Sequence, residues 1–281
     1  MLTLEPADYS EALRQAMPLP ERLYYEGDLP ALLEKRRLAV VGSRKASAYG
    51  KQVTTELVRE VAVKGVVIIS GLAFGLDSIA HRAALEAGGF TIAVLPAGLD
   101  TIYPTGHTAL ARQIIKQGGA LVSEYPEHTT ARKHHFIARN RIISALSEAV
   151  LIPEAASKSG SLHTAQFALE QGREVLAVPG NITSPLSVGT NNLIRTGATP
   201  ITSAQDILES LNMDGALAQL EILAANDSEH AILSLLQKGV NEASSLLALS
   251  QLPPSDFNQT LTMLEISGKI RSLGGGHWAP R

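Results

Sequence analysis

The chain has 281 residues, 45% of them hydrophobic and 18% charged, which allows one large globular domain or a large one with a small companion. Its net charge of −3 confines any nucleic-acid binding to a local patch. With no cysteine there are no disulfides, thiolate metal sites or Cys nucleophiles, and a reducing cytoplasm is favoured; no signal peptide is visible, and no apolar run approaches the ~20 residues of a membrane span.

Short, continuously apolar, β-branched runs occur at 38–42, 66–71, 91–95, 120–124, 149–152 and 174–178. They read as strands buried on both faces. Helical patterns fall between or after them, at 50–64, 77–87, 107–117, 138–147, 161–171 and 203–212. Strands alternating with helices predict an α/β fold, a doubly wound parallel sheet with helices on both faces. Ligands in such sheets sit beyond the carboxyl ends of the strands. The core is expected over 1–212, a linker over 213–227 and a winged-helix unit over 228–281. That unit would hold helices at 229–237, 241–249 and 254–267, then strands at 268–273 and 277–279 around Gly274-Gly275-Gly276.

Four segments carry candidate chemistry. Gly42-Ser43-Arg44 ends the first strand: a turn that exposes N–H groups, beside a planar cation suited to phosphate. It is neither a Gly-x-Gly-x-x-Gly fingerprint nor a Walker A loop, so ATP hydrolysis and ordinary dinucleotide binding lose their support. Ser70 to Asp77 is a second glycine-bearing loop, with Asp77 as the expected N-cap of the next helix and His81 expected to pack in the core. Ser157 to Thr164 places Ser159, Gly160 and Ser161 at a helix start, an anion cradle or simply a set of caps. Residues 132–148 gather Arg132, Lys133, Arg139 and Arg141 around Phe136, with His134 and His135 read as part of the same basic patch. Cations beside an aromatic suit single-stranded nucleic acid. The alternative is a solvated basic helix start with Phe136 tucked into the core.

No nucleophile with an oriented base stands out. Glu154 with His163, and Asp77 with His81, are the nearest acid/base pairs. Eight histidines without repeated ligand spacing argue against a transition-metal site, and no cofactor is expected.

Taken together these blocks resemble the DprA/Smf family of DNA-processing proteins over about Tyr24 to Ile207. The motifs in order are Gly42-Ser43-Arg44, Ser70 to His81, Gly98-Leu99-Asp100 with Tyr103-Pro104, Ser123 to Pro126, Phe136 to Ser147, Glu154 to Ala165, Val178-Pro179-Gly180 and Gly189 to Ala198. The resemblance implies an extended Rossmann core with a winged-helix tail. It also implies a dimeric, non-enzymatic single-stranded DNA binder that protects incoming strands in natural transformation and loads the RecA recombinase. On that reading Gly42, Ser43, Arg44 and Lys133 hold phosphate and Phe136 stacks on a base. Arg139, Asn140 and Arg141 shape the pocket, and Ser159, Gly160 and Ser161 add hydroxyl and N–H contacts. The chain departs from the family's common residues at His107, Ile137, Ala145 and His163.

Two alternatives remain open. A phosphoribohydrolase would use a similar core, but its Pro-Gly-Gly-x-Gly-Thr loop is missing; the nearest stretch is Val178-Pro179-Gly180-Asn181. A duplex-reading winged helix would want cations on its third helix, and 254–267 contains no Lys or Arg.

Overall fold

The computed structural model describes residues 2–213, 227–237, 239–267 and 269–280. The chain divides into two compact units, Met1–Asn212 and Met213–Arg281. The linker expected at 213–227 lies almost wholly outside the described residues.

The first unit is built on a nine-stranded sheet. Its strands are β1 (Leu2–Leu4), β2 (Leu23–Gly27), β3 (Arg37–Val40), β4 (Val67–Ser70), β5 (Thr91–Leu95), β6 (Ala120–Ser123), β7 (Ala149–Ile152), β8 (Glu174–Ala177) and β9 (Thr199–Pro200). The spatial order is β1-β2-β6-β5-β4-β3-β7-β8-β9. Strands β3 to β9 run parallel, whereas β1 and β2 add an antiparallel edge through β2–β6 pairing. The six sequence-predicted runs are all strands; the N-terminal edge and β9 are additions to that reading.

Alternation along β5 shows why both faces are covered. Ile92 and Val94 enter one apolar cluster, and Ala93 and Leu95 enter another, with all four fully buried. The covering helices include α3 (Ala48–Val63), α4 (Leu76–Glu86), α5 (Thr108–Lys116), α6 (Lys133–Ala145) and α7 (Ser161–Glu170). Short helices α1 (Glu11–Arg14) and α2 (Leu29–Leu33) precede them, and α8 (Val188–Arg195) and α9 (Ala204–Ser210) close the unit. Ser47 caps α3 by accepting from the Gly50 N–H at 3.0 Å, and Ser203 with Asp206 forms a capping box on α9. No helix among the described residues is long and apolar enough to cross a membrane.

Strand order locates the binding rim. From β3 the chain steps outward through β4, β5 and β6, then returns to place β7 on the other side of β3. The carboxyl ends of β3 and β7 therefore diverge at a topological switch point, where a crevice opens.

The second unit has α10 (Asp227–Gln237), α11 (Ala243–Ser250), α12 (Pro254–Ile266) and the hairpin β10 (Ile270–Gly274) with β11 (His277–Pro280). Ile232, Leu233, Leu236, Leu246, Phe257, Leu261, Leu264 and Ile270 form its core. Pro254 opens α12, where its missing N–H costs nothing. Among the described residues of this unit, three helices and a hairpin in this order make a winged helix.

Candidate nucleic-acid interface

A cavity of about 930 Å³ lies at that switch point. Ten of the eleven sequence-predicted site residues line it: Gly42, Ser43 and Arg44 after β3; Lys133, Phe136, Arg139 and Asn140 on α6; Ser159, Gly160 and Ser161 before or at the start of α7. Arg141 does not.

The first wall is the Gly42-Ser43-Arg44 turn, pinned from three sides. Ser43 N–H donates to Glu154 O at 3.0 Å, Leu76 N–H donates to Ser43 O at 3.1 Å, and Lys45 N–H donates to Ser43 Oγ at 3.2 Å. Gly75, at φ +81°, lies against Ser43 O and the Arg44 backbone, where a Cβ would collide. The turn is rigid while the Arg44 side chain is exposed.

The second wall is α6, which begins at Lys133, five residues earlier than its apolar pattern alone places it. Lys133, Phe136 and Asn140 are spaced i, i+3, i+7 and share one helical face. The Arg44 guanidinium carbon sits 5.2 Å from the Phe136 ring centroid, a cation–π contact. Tyr103 meets Phe136 edge-on at 5.3 Å. Asn140 Nδ2 donates to Gly160 O at 3.4 Å and joins this wall to the third.

The third wall is the Ser157–Ser161 turn and the start of α7. Ser159 and Ser161 hydroxyls lie 2.8 Å apart, and neither α6 nor α7 has a side-chain cap or an acid in its first turn. Capping by Ser159 reduces to a long 3.4 Å contact from the Ser161 N–H. Two uncapped helix starts facing one cavity leave N–H groups and positive dipole ends for an anion. Lys45 and Lys158 add exposed cations at the same cavity. Sequence reasoning left both out of the site, since only the folded rim shows which exposed lysines converge.

Beneath the walls lies a buried pair. Arg139, 3% exposed, donates through Nη1 to Gly71 O at 2.7 Å and also to Val94 O. Burial lowers its pKa to about 10, so it stays charged at neutral pH. Arg139 thus forms the floor and braces two strand ends rather than reaching outward. Asp77 is not the N-cap of α4, a role Gly75 takes; its carboxylate accepts the Gly71 N–H at 3.2 Å. Burial raises the Asp77 pKa, opposed by the Arg139 charge and by backbone N–H groups of Ala73, Gly42 and Gly71. Asp77 therefore ties together the loops after β3 and β4.

Besides the Asp77 cap, three further expectations are corrected. Arg141 points away from the cavity because two residues along a helix turn a side chain by ~200° from Arg139. It is a clamp instead: it pairs with Glu124 through both carboxylate oxygens, at 3.1 and 2.7 Å, and donates to Pro18 O at 2.8 Å, with its side chain 4% exposed. His135 leaves the basic patch; it is buried, stacked on Tyr125 at 4.1 Å with Nδ1 3.1 Å from Pro96 O, and burial lowers its pKa. Glu154 does not pair with His163: its carboxylate accepts from Ser47 N–H at 3.1 Å and from the Ser47 hydroxyl.

His81 is packed in the core, as the sequence predicts. Its Nδ1 lies 2.7 Å from Thr91 Oγ1. The Thr91 hydroxyl donates to Ile68 O at 2.7 Å, so His81 Nδ1 carries the proton. Burial lowers the His81 pKa to about 3.

The fold and cavity define a class: a Rossmann-type α/β core with a cation-rimmed, aromatic-bearing site at its switch point, joined in one chain to a winged helix. Residues 1–212 match the family of DNA recombination-mediator protein A, and residues 222–276 match the DprA winged helix domain. The chain belongs to that family. It is 49% identical over 211 residues to Protein Smf of Escherichia coli, which covers 74% of this chain and 56% of that protein. It is 44% identical over 210 residues to DNA processing protein DprA of Bacillus subtilis, covering 75% and 70% of the two chains. The chain thus spans little more than half the length of the Escherichia coli relative. Among solved structures, DprA of Streptococcus pneumoniae superposes with a TM-score of 0.69 at 41% identity, over 74% of this chain and 73% of that one. DNA processing protein A of Helicobacter pylori, solved to show its single-stranded DNA binding mode, superposes with a TM-score of 0.67 at 38% identity, over 76% and 96%.

Proposed function

We propose that the protein binds single-stranded DNA in the switch-point cavity, as a cytoplasmic homodimer that protects incoming strands in transformation and delivers them to the RecA recombinase. The observation that carries this reading is the junction of exposed Arg44 and Lys133, two uncapped helix starts and the half-buried ring of Phe136 in one cavity. Cations and N–H groups suit backbone phosphates. A flat ring beside them suits an unpaired base, which a duplex keeps stacked inside. Arg44 covers Phe136; a bound strand offers Arg44 a phosphate and Phe136 a base in exchange. The single-stranded DNA binding mode of the Helicobacter pylori relative supports the same ligand. The residue roles are those of the family resemblance, with Arg139 as the floor and Arg141 outside the site. The α12 segment has no Lys or Arg, which supports a protein-contact role for the winged helix rather than a duplex-gripping one.

The test is binding to labelled oligo-dT and to a duplex of equal length, followed by recombinase assembly on strands precoated with this protein. Single-strand preference and faster filament formation are expected. Equal affinity for both forms contradicts the DNA reading, and unchanged filament formation contradicts the loading role.

A further inference from the structure

The exposed large aromatics among the described residues are Tyr49, Phe74 and Tyr103, and all three sit at the carboxyl rim of the sheet. Tyr103 belongs to the cavity already described, and the Tyr49 hydroxyl is engaged with Pro179 O at 2.8 Å. Phe74 has no such explanation. It lies outside the cavity lining, in the loop after β4, and is 56% exposed. More than half of this ring's surface contributes nothing to folding.

Phe74 is also held firmly. Its ring packs at 4.8 Å and 64° on His107, which is buried and fixed by an Nδ1 contact of 2.7 Å to Leu72 O. The next residue, Gly75, lies against the Arg44 backbone. Phe74 is thus braced from below by the loop that carries Tyr103 and joined to the turn that presents Arg44. Phe74, Tyr103 and Phe136 follow the successive strands β4, β5 and β6, the first two on loops and the third in the first turn of α6.

From this arrangement we propose that Phe74 is a second base-stacking platform, taking a nucleobase of the strand as it leaves the cavity. The inference rests on the single-strand reading above. A nucleic acid fits better than a protein partner because the loop is continuous with the cation-lined cavity: Ala73 and Asp77, on either side of Phe74, line it together with Arg44 and Lys45. Stacking accepts any base, so the platform extends the footprint without adding sequence preference.

The experiment compares the full chain with Phe74→Ala and Phe74→Tyr variants. The ligands are the thymidine dinucleotide pTpT and an oligo-dT of about 16 nucleotides, the upper span of one binding module. Phe74→Ala is expected to bind the long strand roughly tenfold more weakly, with an unchanged salt slope, and to bind pTpT like the wild type. Phe74→Tyr keeps the ring and should restore long-strand affinity, which separates stacking from misfolding. Wild-type affinity for the long strand in Phe74→Ala overturns the proposal. So does an equal loss on both ligands, or a change in oligomeric mass, which would make the ring a contact between copies. A wild-type chain that binds neither ligand overturns the single-strand reading together with this one.

Discussion

Helix α6 carries cationic side chains in two opposite conditions. On the cavity face Lys133 is exposed and shares the rim with Arg44, also exposed. On the far face Arg141 is buried, with its guanidinium spent on Glu124, Pro18 O and Ala138 O. Composition treats these cations alike, and pairing separates them. A buried arginine with a full set of acceptors cannot serve a phosphate without losing them, while an exposed one loses little. Arg139 stands between the two, at the cavity yet committed to backbone carbonyls. On the proposed function, the cations left for a strand are those exposed at the cavity, Arg44 and Lys133, while the buried arginines of α6 are already held by protein acceptors.

The largest effect that follows is on stability. Arg141→Ala leaves Glu124 charged and nearly buried, and should cost about 3–5 kcal/mol in denaturant unfolding. A loss within the surface range would mean that the far face is not a clamp. On the cavity face, Phe136→Ala should weaken oligo-dT binding by roughly 1–3 kcal/mol while thermal unfolding barely moves. Unchanged affinity there would remove the base from that ring. A pH-dependent effect tests the buried polar groups behind the rim. The His81 pKa falls from 6.5 to about 3 in the fold, so the unfolded chain binds the proton first as pH drops. Its contribution to stability is fully present above pH 6.5 and is lost progressively toward about pH 3. His81→Asn, which keeps a donor near Thr91, should flatten the acid limb of the stability curve; an unaltered limb would mean that His81 is not buried neutral.

The sheet was legible because parallel strands buried on both faces are written as continuous apolar runs. The antiparallel edge was not: Leu23-Tyr-Tyr-Glu-Gly27 alternates in burial and mixes polar with apolar residues. Helix α8, Val188–Arg195, hides behind Gly, Thr and two Asn, poor helix formers. The site was mostly legible, since its loops follow strands that periodicity had placed. Arg141 is placed at the pocket by the family resemblance, and a helix phased only from Ala138 offers no Lys133 or Phe136 face against which to test it. Its true start at Lys133 is masked by two histidines and basic residues without a cap signal. With that start, the i, i+3, i+7 spacing of Lys133, Phe136 and Asn140 separates the cavity face from Arg141 by arithmetic alone. Asp77 showed the opposite limit: an acid near a helix start reads as a cap, and only the fold shows it gathering the N–H groups of two loops.

The most direct test of the account is the salt dependence of oligo-dT binding for the wild type and Arg44→Ala, a substitution at an exposed position. Each phosphate contact on a single strand contributes ~0.7 to the slope of log affinity against log salt. The account predicts a steep wild-type slope that falls by about that amount in Arg44→Ala, with unfolding unchanged. A mutant with the wild-type slope would place the strand elsewhere on the protein.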